Sequence, residues 1–367
     1  MKPELRVALL GTGFMGKAHS NAYCQAGHFF DLPYRLRRTL LCDIDPAALA
    51  STAERWEWEE TSTDWRAAID RQDIDLVDIA LPNHLHAPAA IAAAGAGQIV
   101  LCEKPLALSV EEARGMCDAA RGVPNKIWFN YRRLPAVAFA RQLIADGRLG
   151  TVFHYNAAYM QQWGADTTRA ATWRMNPALA GSGAAGDLLT HCLDTALFLN
   201  GPISSVVASS RTLVPERTVD DAFMALVTFQ NGSAGTFEAS RFGIGYRNAK
   251  TFQIHGSGGM LRFNLERLNH LEFFDAAAPS TEQGPRDVLV TDPKHPVFGH
   301  FWRPGHIIGY EHTFIASLAS FLDHLSRGEP FHPNFADGLA VQQVLEAMQT
   351  SAASGRWTSV QHSGGAM

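Results

Sequence analysis

The chain has 367 residues, 46% hydrophobic and 18% charged, with a formal net charge of −5. This length exceeds the usual single domain and leads us to expect two, each able to bury its own core. The composition excludes a disordered chain, and the acidic balance gives no electrostatic reason to expect a nucleic-acid or membrane partner.

In chain order, the first 127 residues alternate strand and helix signals. "RVALLGTG" reads as a strand ending in glycines, "MGKAHSNAYCQAG" as a helix and "RTLLCDIDP" as a second strand stopping on acids. Between them, Arg35, Arg37 and Arg38 read as a solvated face. "DPAALASTAERW" is a helix with Asp45 as N-cap and Pro46 at its first position. "IDLVDIALPNH" is a third strand, "APAAIAAAGAG" a helix closed by glycine and "IVLCEKP" a fourth strand. "SVEEARGMCDAAR" is capped by Ser109 with Glu112 in the capping-box position, and "KIWFNYR" is a fifth strand. Strands separated by helices predict a doubly wound parallel sheet, a Rossmann domain over residues 1–127.

From residue 128 to about 360 the chain reads as a second, α+β domain: an open, mostly antiparallel sheet flanked by helices. "TVFHYNAAYM", "SSVVASSRTLV", "DDAFMALVTFQNGSAGTFEASRF", "KTFQIHGSGGMLRF" and "HLEFFDA" are strand-like, and Asn231-Gly232 is a hairpin turn. Residues 278–308 read as an extended loop; "EHTFIASLASFLDHLSRG" and "FADGLAVQQVLEAMQTSAASG" read as closing helices.

"GTGFMGKAH" places Gly11, Gly13 and Gly16 between a strand and a helix. Glycines there permit a tight turn and close approach of a pyrophosphate to a helix N-terminus, so a dinucleotide is expected. Asp43, at the end of the second strand, is placed to accept ribose hydroxyls and repel a 2′-phosphate, which favours NAD over NADP. Ligands of an open parallel sheet sit beyond the carboxyl ends of its strands, which brings Leu81, Pro82, Asn83, His86, Glu103 and Lys104 to one crevice. Pro105 restricts Lys104 to extended geometry, so that its ammonium is aimed by the backbone. In "GSGAAGDLLTHCLD", Asp187, His191 and Asp194 project from one face if the segment is helical. The five cysteines, Cys24, Cys42, Cys102, Cys117 and Cys192, form no C-x-x-C pair and read as reduced thiols. No metal site is expected, because His84, His86 and His191 have no Cys or Glu at ligand spacing. No apolar run reaches the roughly 18 residues a membrane span needs. The first strand follows Met1 too closely for a signal peptide, so the protein is expected in the cytoplasm.

With the glycine motif, "PNHLHA", "CEKPLAL" and "GDLLTHCLD" in this order, the chain resembles the Gfo/Idh/MocA oxidoreductases over nearly its whole length. "GFMGKAHS", "FNYRR", "GSGAAGD" and "PGHIIGYEHTF" are further similar to the levoglucosan dehydrogenase-like branch. The resemblance implies an NAD-dependent dehydrogenase that oxidises a secondary hydroxyl of a sugar, anhydrosugar, glycoside or inositol to a ketone. It implies catalytic Lys104, His191 and Asp187, with Lys104 and His191 flanking the reacting carbinol and Glu103 orienting Lys104. To the cofactor it assigns the glycine loop with Phe14 and Met15, then Asp43, Leu81, Asn83, His86, Glu103, Lys104 and Asn130, with Trp173 and Arg174. To the substrate it assigns Tyr131, Arg132, Gln162, Trp163, Asp187, Thr190, His191 and His306; Tyr310 has similar character. Leu189 stands where the family often carries a small residue. A homo-oligomer, dimer or tetramer, is expected on an exposed sheet face. Two rivals use the same residues differently: an NAD-dependent glycoside hydrolase acting by transient oxidation, elimination and re-reduction, and a non-catalytic NAD or sugar sensor.

Overall fold

A computed structural model describes residues 2–166, 168 and 172–362. They fall into two compact units, one within Met1–Asn130 and Gly309–Leu339, the other within Tyr131–Ile308 and Ala340–Met367.

The first unit alternates β1 (Glu4–Leu10), α1 (Phe14–Phe29), β2 (Arg35–Cys42), α2 (Pro46–Trp56), β3 (Glu60–Ser62), α3 (Trp65–Ile69), β4 (Leu76–Ile79), α4 (His86–Gly95), β5 (Ile99–Cys102), α5 (Val110–Ala119) and β6 (Asn125–Ile127). The sheet order is β3-β2-β1-β4-β5-β6, and every pairing is parallel. Val7, Leu9, Leu41, Val77, Ile79, Val100 and Leu101 are all buried, as a sheet covered on both faces requires. The helix starts follow from the sequence: Asp45 accepts from the amides of Ala47 (2.9 Å) and Ala48 (3.2 Å). Ser109 accepts from Glu112 N (3.1 Å), and Glu112 returns to Leu108 N (2.9 Å). The short strand β3, Glu-Thr-Ser, has no apolar pattern, which is why five strands are read from the sequence and six form.

The segment 309–339 groups with this unit although it follows the second sheet in the chain. Its helix Glu311–Arg327 sets Phe314 against Trp128 and His19 (ring centroids 5.6 Å in each case). An amphipathic pattern tells that a helix buries one face; it does not tell against which core.

The second unit contains α6 (Pro135–Ala145), β7 (Val152–Met160), α7 (Pro177–Ala180), α8 (Thr190–Asn200), β8 (Ile203–Arg211), β9 (Ala222–Phe229), β10 (Ala234–Ser240), β11 (Ala249–Gly256), β12 (Gly259–Asn264), β13 (His270–Asp275), β14 (Arg286–Leu289) and β15 (Thr358–Ser359). Its nine strands run β14-β13-β12-β11-β7-β10-β9-β8-β15, antiparallel except for β7 with β10. Burial alternates along β9: Phe223, Ala225, Val227 and Phe229 face the core, while Met224 and Leu226 face outward. The stretch expected as one loop over 278–308 contains β14, whose Arg286 and Asp287 protect the sheet's edge and hide its strand character in the sequence.

Candidate active site

In the first unit the three glycines differ in what the protein's own packing asks of them. Gly11 has φ +111°, and a Cβ there would lie 2.5 Å from Ala80 O. A Cβ on Gly16 would lie 2.0 Å from Gly11 O, so α1 packs on the loop only without a side chain. A Cβ on Gly13 would meet nothing within 4 Å, so the protein's own packing does not demand glycine at this position. Gly13 is also the N-cap of α1; it supplies no side-chain cap, and the first turn, with Phe14 and Met15, holds no acid. An uncapped helix start beside an open glycine fits a phosphate-bearing ligand. Asp43 follows β2 and braces this loop, accepting from Thr12 N (2.8 Å) and Thr12 Oγ1 (2.7 Å) on one oxygen and from Asp45 N (3.0 Å) on the other. Ile44 beside it is 86% exposed, an apolar surface that the reading of the sequence passed over and that suits an adenine face.

Glu103 and Lys104 follow β5, and the Lys104–Pro105 bond is cis. Glu103 is buried; its Oε2 accepts the Lys104 amide (3.0 Å) and its Oε1 lies 3.0 Å from His19 Nε2. His86 holds the neighbouring turns together, with its two ring nitrogens 2.8 Å from Pro105 O and 2.9 Å from Leu81 O. It is fully buried, and burial pushes its pKa down. Assigned to the cofactor from the sequence, His86 is thus turned to backbone carbonyls instead. Asn83 starts the single 3-10 turn before α4 and is buried. Asn130 donates to Thr313 Oγ1 (2.6 Å), and Tyr310 stacks on Phe14 (6.0 Å).

In the second unit, residues Ala185–Leu189 form a π-turn that runs into α8. The three polar residues expected on one face have different partners. Asp187 pairs with Arg241 (3.1 Å), whereas Asp194 is buried against Arg132 (2.6 Å). His191 lies against the rings of Tyr131 (4.7 Å) and Tyr159 (6.0 Å). Tyr131 and Tyr159 hydroxyls are 3.2 Å apart, and Tyr159 and Gln161 both donate to Asn248 Oδ1 (2.7 Å each). Trp163 Nε1 donates to Gln161 (2.6 Å), and the Arg241 guanidinium lies 4.9 Å from the Trp163 ring. Tyr131, Trp163, Asp187 and His191 therefore share one polar and aromatic cluster, joined by Tyr159, Gln161, Arg241 and Asn248.

Other residues assigned to ligands from the sequence have protein partners. Arg132 is in the buried pair with Asp194, and Thr190 Oγ1 donates to Gly186 O (2.9 Å). Gln162 accepts from Gly245 N (3.0 Å), Arg174 covers Trp173 (4.5 Å), and the exposed His306 ring sits 3.1 Å from Arg303 O. Leu189 is fully buried. Among the described residues no group of three His, Cys, Asp or Glu could hold a metal, and no helix is long and apolar enough to cross a membrane.

Residues 5–131 match the family model described as an oxidoreductase family, NAD-binding Rossmann fold, and residues 137–262 match the GFO/IDH/MocA C-terminal domain. The chain is 39% identical over 384 residues to the levoglucosan dehydrogenase of Pseudarthrobacter phenanthrenivorans, covering 97% of this chain and 98% of that protein. It is 26% identical to the inositol 2-dehydrogenase of Rhizobium meliloti, covering 97% and 99%. A solved levoglucosan dehydrogenase in complex with NADH and levoglucosan matches with a TM-score of 0.96 at 40% identity, covering 98% of this chain and all of that one.

Proposed function

Because the chain belongs to the Gfo/Idh/MocA oxidoreductases and carries their NAD-binding Rossmann fold, we propose that it oxidises a secondary hydroxyl of a pyranose ring, with anhydrosugars of the levoglucosan type as first substrate class. The observation that carries this reading is the 39% identity to a levoglucosan dehydrogenase across 97% of the chain. When bound, NAD supplies the hydride acceptor. Lys104 takes the hydroxyl proton as the C–H bond breaks, so the alcohol leaves as a ketone. The lysine is presented from a backbone whose amide is bonded to Glu103 and whose next residue is proline. His191, held against Tyr131, is the second proton partner of the same hydroxyl. Asp187, oriented by Arg241, accepts a neighbouring hydroxyl, and the Trp163 face covers ring C–H groups. The Asp43 carboxylate supports NAD in preference to a 2′-phosphorylated cofactor.

The test is a panel of anhydrosugars, glycosides and inositols incubated with NAD. Accumulating NADH on an anhydrosugar supports the reading. Aglycone released without NADH would make the protein a hydrolase, and thermal stabilisation without product would make it a sensor. In the same assay Lys104→Ala and His191→Ala should each lose about a hundredfold or more in kcat while still binding NADH; near-normal turnover in both removes the catalytic assignment.

The outward face of the nine-stranded sheet supports a homo-oligomer. Met224 and Leu226 are 40% and 51% exposed there, beside Asn156, Gln253, Arg262 and Glu272. Apolar residues ringed by both charge signs suit a second copy of the same surface. Sedimentation should show a dimer or tetramer that Leu226→Lys weakens; a wild-type monomer at micromolar concentration overturns this. The free thiols are consistent with a cytoplasmic location.

A further inference from the structure

Three ionisable side chains next to the Lys104 backbone are closed off from solvent and take no part in the proton transfer. His19, on α1, is wholly buried between Asp78 of β4 and Glu103. Its Nε2 lies 3.0 Å from Glu103 Oε1, and its Nδ1 lies 3.0 Å from Asp78 Oδ2 in an ion-pair contact outside hydrogen-bond geometry. Asp78 also accepts from Tyr23 OH (2.9 Å) and Trp128 Nε1 (2.8 Å). The rings of Trp128 (4.3 Å) and Phe314 (5.6 Å) close over the imidazole.

Two carboxylates removed from water on either side of one imidazole require a positive charge between them. Burial alone would drive the His19 pKa down; Asp78 and Glu103 reverse this and hold it at about 9. Among the other titratable groups, His86 also faces Glu103, and burial lowers its pKa. The Cys102 thiol and Tyr23 phenol are pushed well up by burial and stay neutral, and the Lys126 ammonium sits over the Trp128 ring, 3.0 Å from its centroid.

We propose that His19 is a positioning residue for Lys104: as a buried imidazolium between Asp78 and Glu103 it holds Glu103 in the rotamer whose Oε2 accepts the Lys104 amide. This rests on Lys104 being the base. Without the imidazolium, Asp78 and Glu103 face each other as like charges, and nothing holds Glu103 in that rotamer. The Lys104 amide then loses its acceptor, and the lysine loses its fixed starting point.

The experiment is kinetics of His19→Gln against pH, with NAD and the sugar at saturation. At pH 7 kcat should fall on the order of tenfold, since loss of orientation costs rate before it costs binding. KM for the sugar and the NADH dissociation constant should stay within about threefold. Wild-type kcat should fall as the pH rises through about 9, where His19 gives up its proton, and the gap between wild type and His19→Gln should close there. A loss that is the same at every pH, or no loss at all, overturns the proposal. Added to Glu103→Gln, the same substitution should cost less than about twofold, because the two act as one unit; fully additive losses also overturn it. If His19→Gln does not fold, imidazole ¹⁵N spectra of the wild-type NADH complex at pH 8 decide. One doubly protonated ring that disappears in Glu103→Gln supports the proposal, and neutral rings throughout overturn it. Lys104→Ala run in parallel separates the two readings. An active Lys104→Ala removes the base assignment, whereas an inactive one beside a wild-type-like His19→Gln removes the role of His19 alone.

Discussion

Lys104 can be singled out from the sequence because everything that orients its backbone is adjacent to it: the strand before it, the glutamate beside it and the proline after it. His19 cannot, because its partners are 59 and 84 residues away and meet it only after β4 and β5 line up beside β1. The one signal available was Asp78, an acid inside the apolar run of β4, which must find a partner once buried. The same limit applies to ligand candidates whose side chains have protein partners. Arg132 stands next to Tyr131 in "NYRR", and nothing local distinguishes a sugar-binding arginine from one whose partner, Asp194, lies 62 residues on. Asp187 stands out in the D-x-x-x-H segment, but its partner Arg241 is 54 residues further along, just beyond the end of β10. Spacing reveals which residues share an element; it does not reveal what the opposite element presents.

At the scale of elements, the β1–loop–α1 unit separates glycines kept for folding from a glycine kept for a ligand. Gly13→Ala places a methyl group where no protein atom stands within 4 Å, at an ordinary negative φ of −62°. Its melting temperature should stay near wild type while NADH affinity drops about tenfold or more, the added carbon obstructing the close approach of the pyrophosphate. Gly16→Ala drives a methyl into Gly11 O at 2.0 Å. Backbone must move, so stability should fall by about 1–3 kcal/mol. Calorimetry and NADH fluorescence titration on both variants check the contrast; equal affinity losses with equal melting points would show that the two glycines serve one purpose. This unit was legible because strand, glycine spacing and helix are contiguous. The strands not read from the sequence, β3, β14 and β15, are short edge strands, and their pairing alone makes them strands.

For the whole molecule, parallel and antiparallel texture distinguished two sheets in chain order, but not the return of residues 309–339 to the first unit, since that depends on which core takes Phe314. The buried histidines of that unit set how the entire fold responds to pH. His19 is raised from 6.5 to about 9, so the folded state holds a proton that the unfolded chain releases first. Its stabilisation is complete below about pH 6.5 and is lost as the pH rises through about 9, a range worth roughly 3 kcal/mol. His86 is shifted the other way: burial lowers its pKa, so its contribution is present above about 6.5 and declines as the pH falls below that value. Taken by themselves, the two limbs lower stability on both sides of about pH 6.5. Thermal unfolding across pH 5 to 10 should show the alkaline decline of the His19 limb, and in His19→Gln that decline should be absent. A wild-type melting temperature that is level between pH 6.5 and 9 would mean that His19 carries no proton at neutral pH.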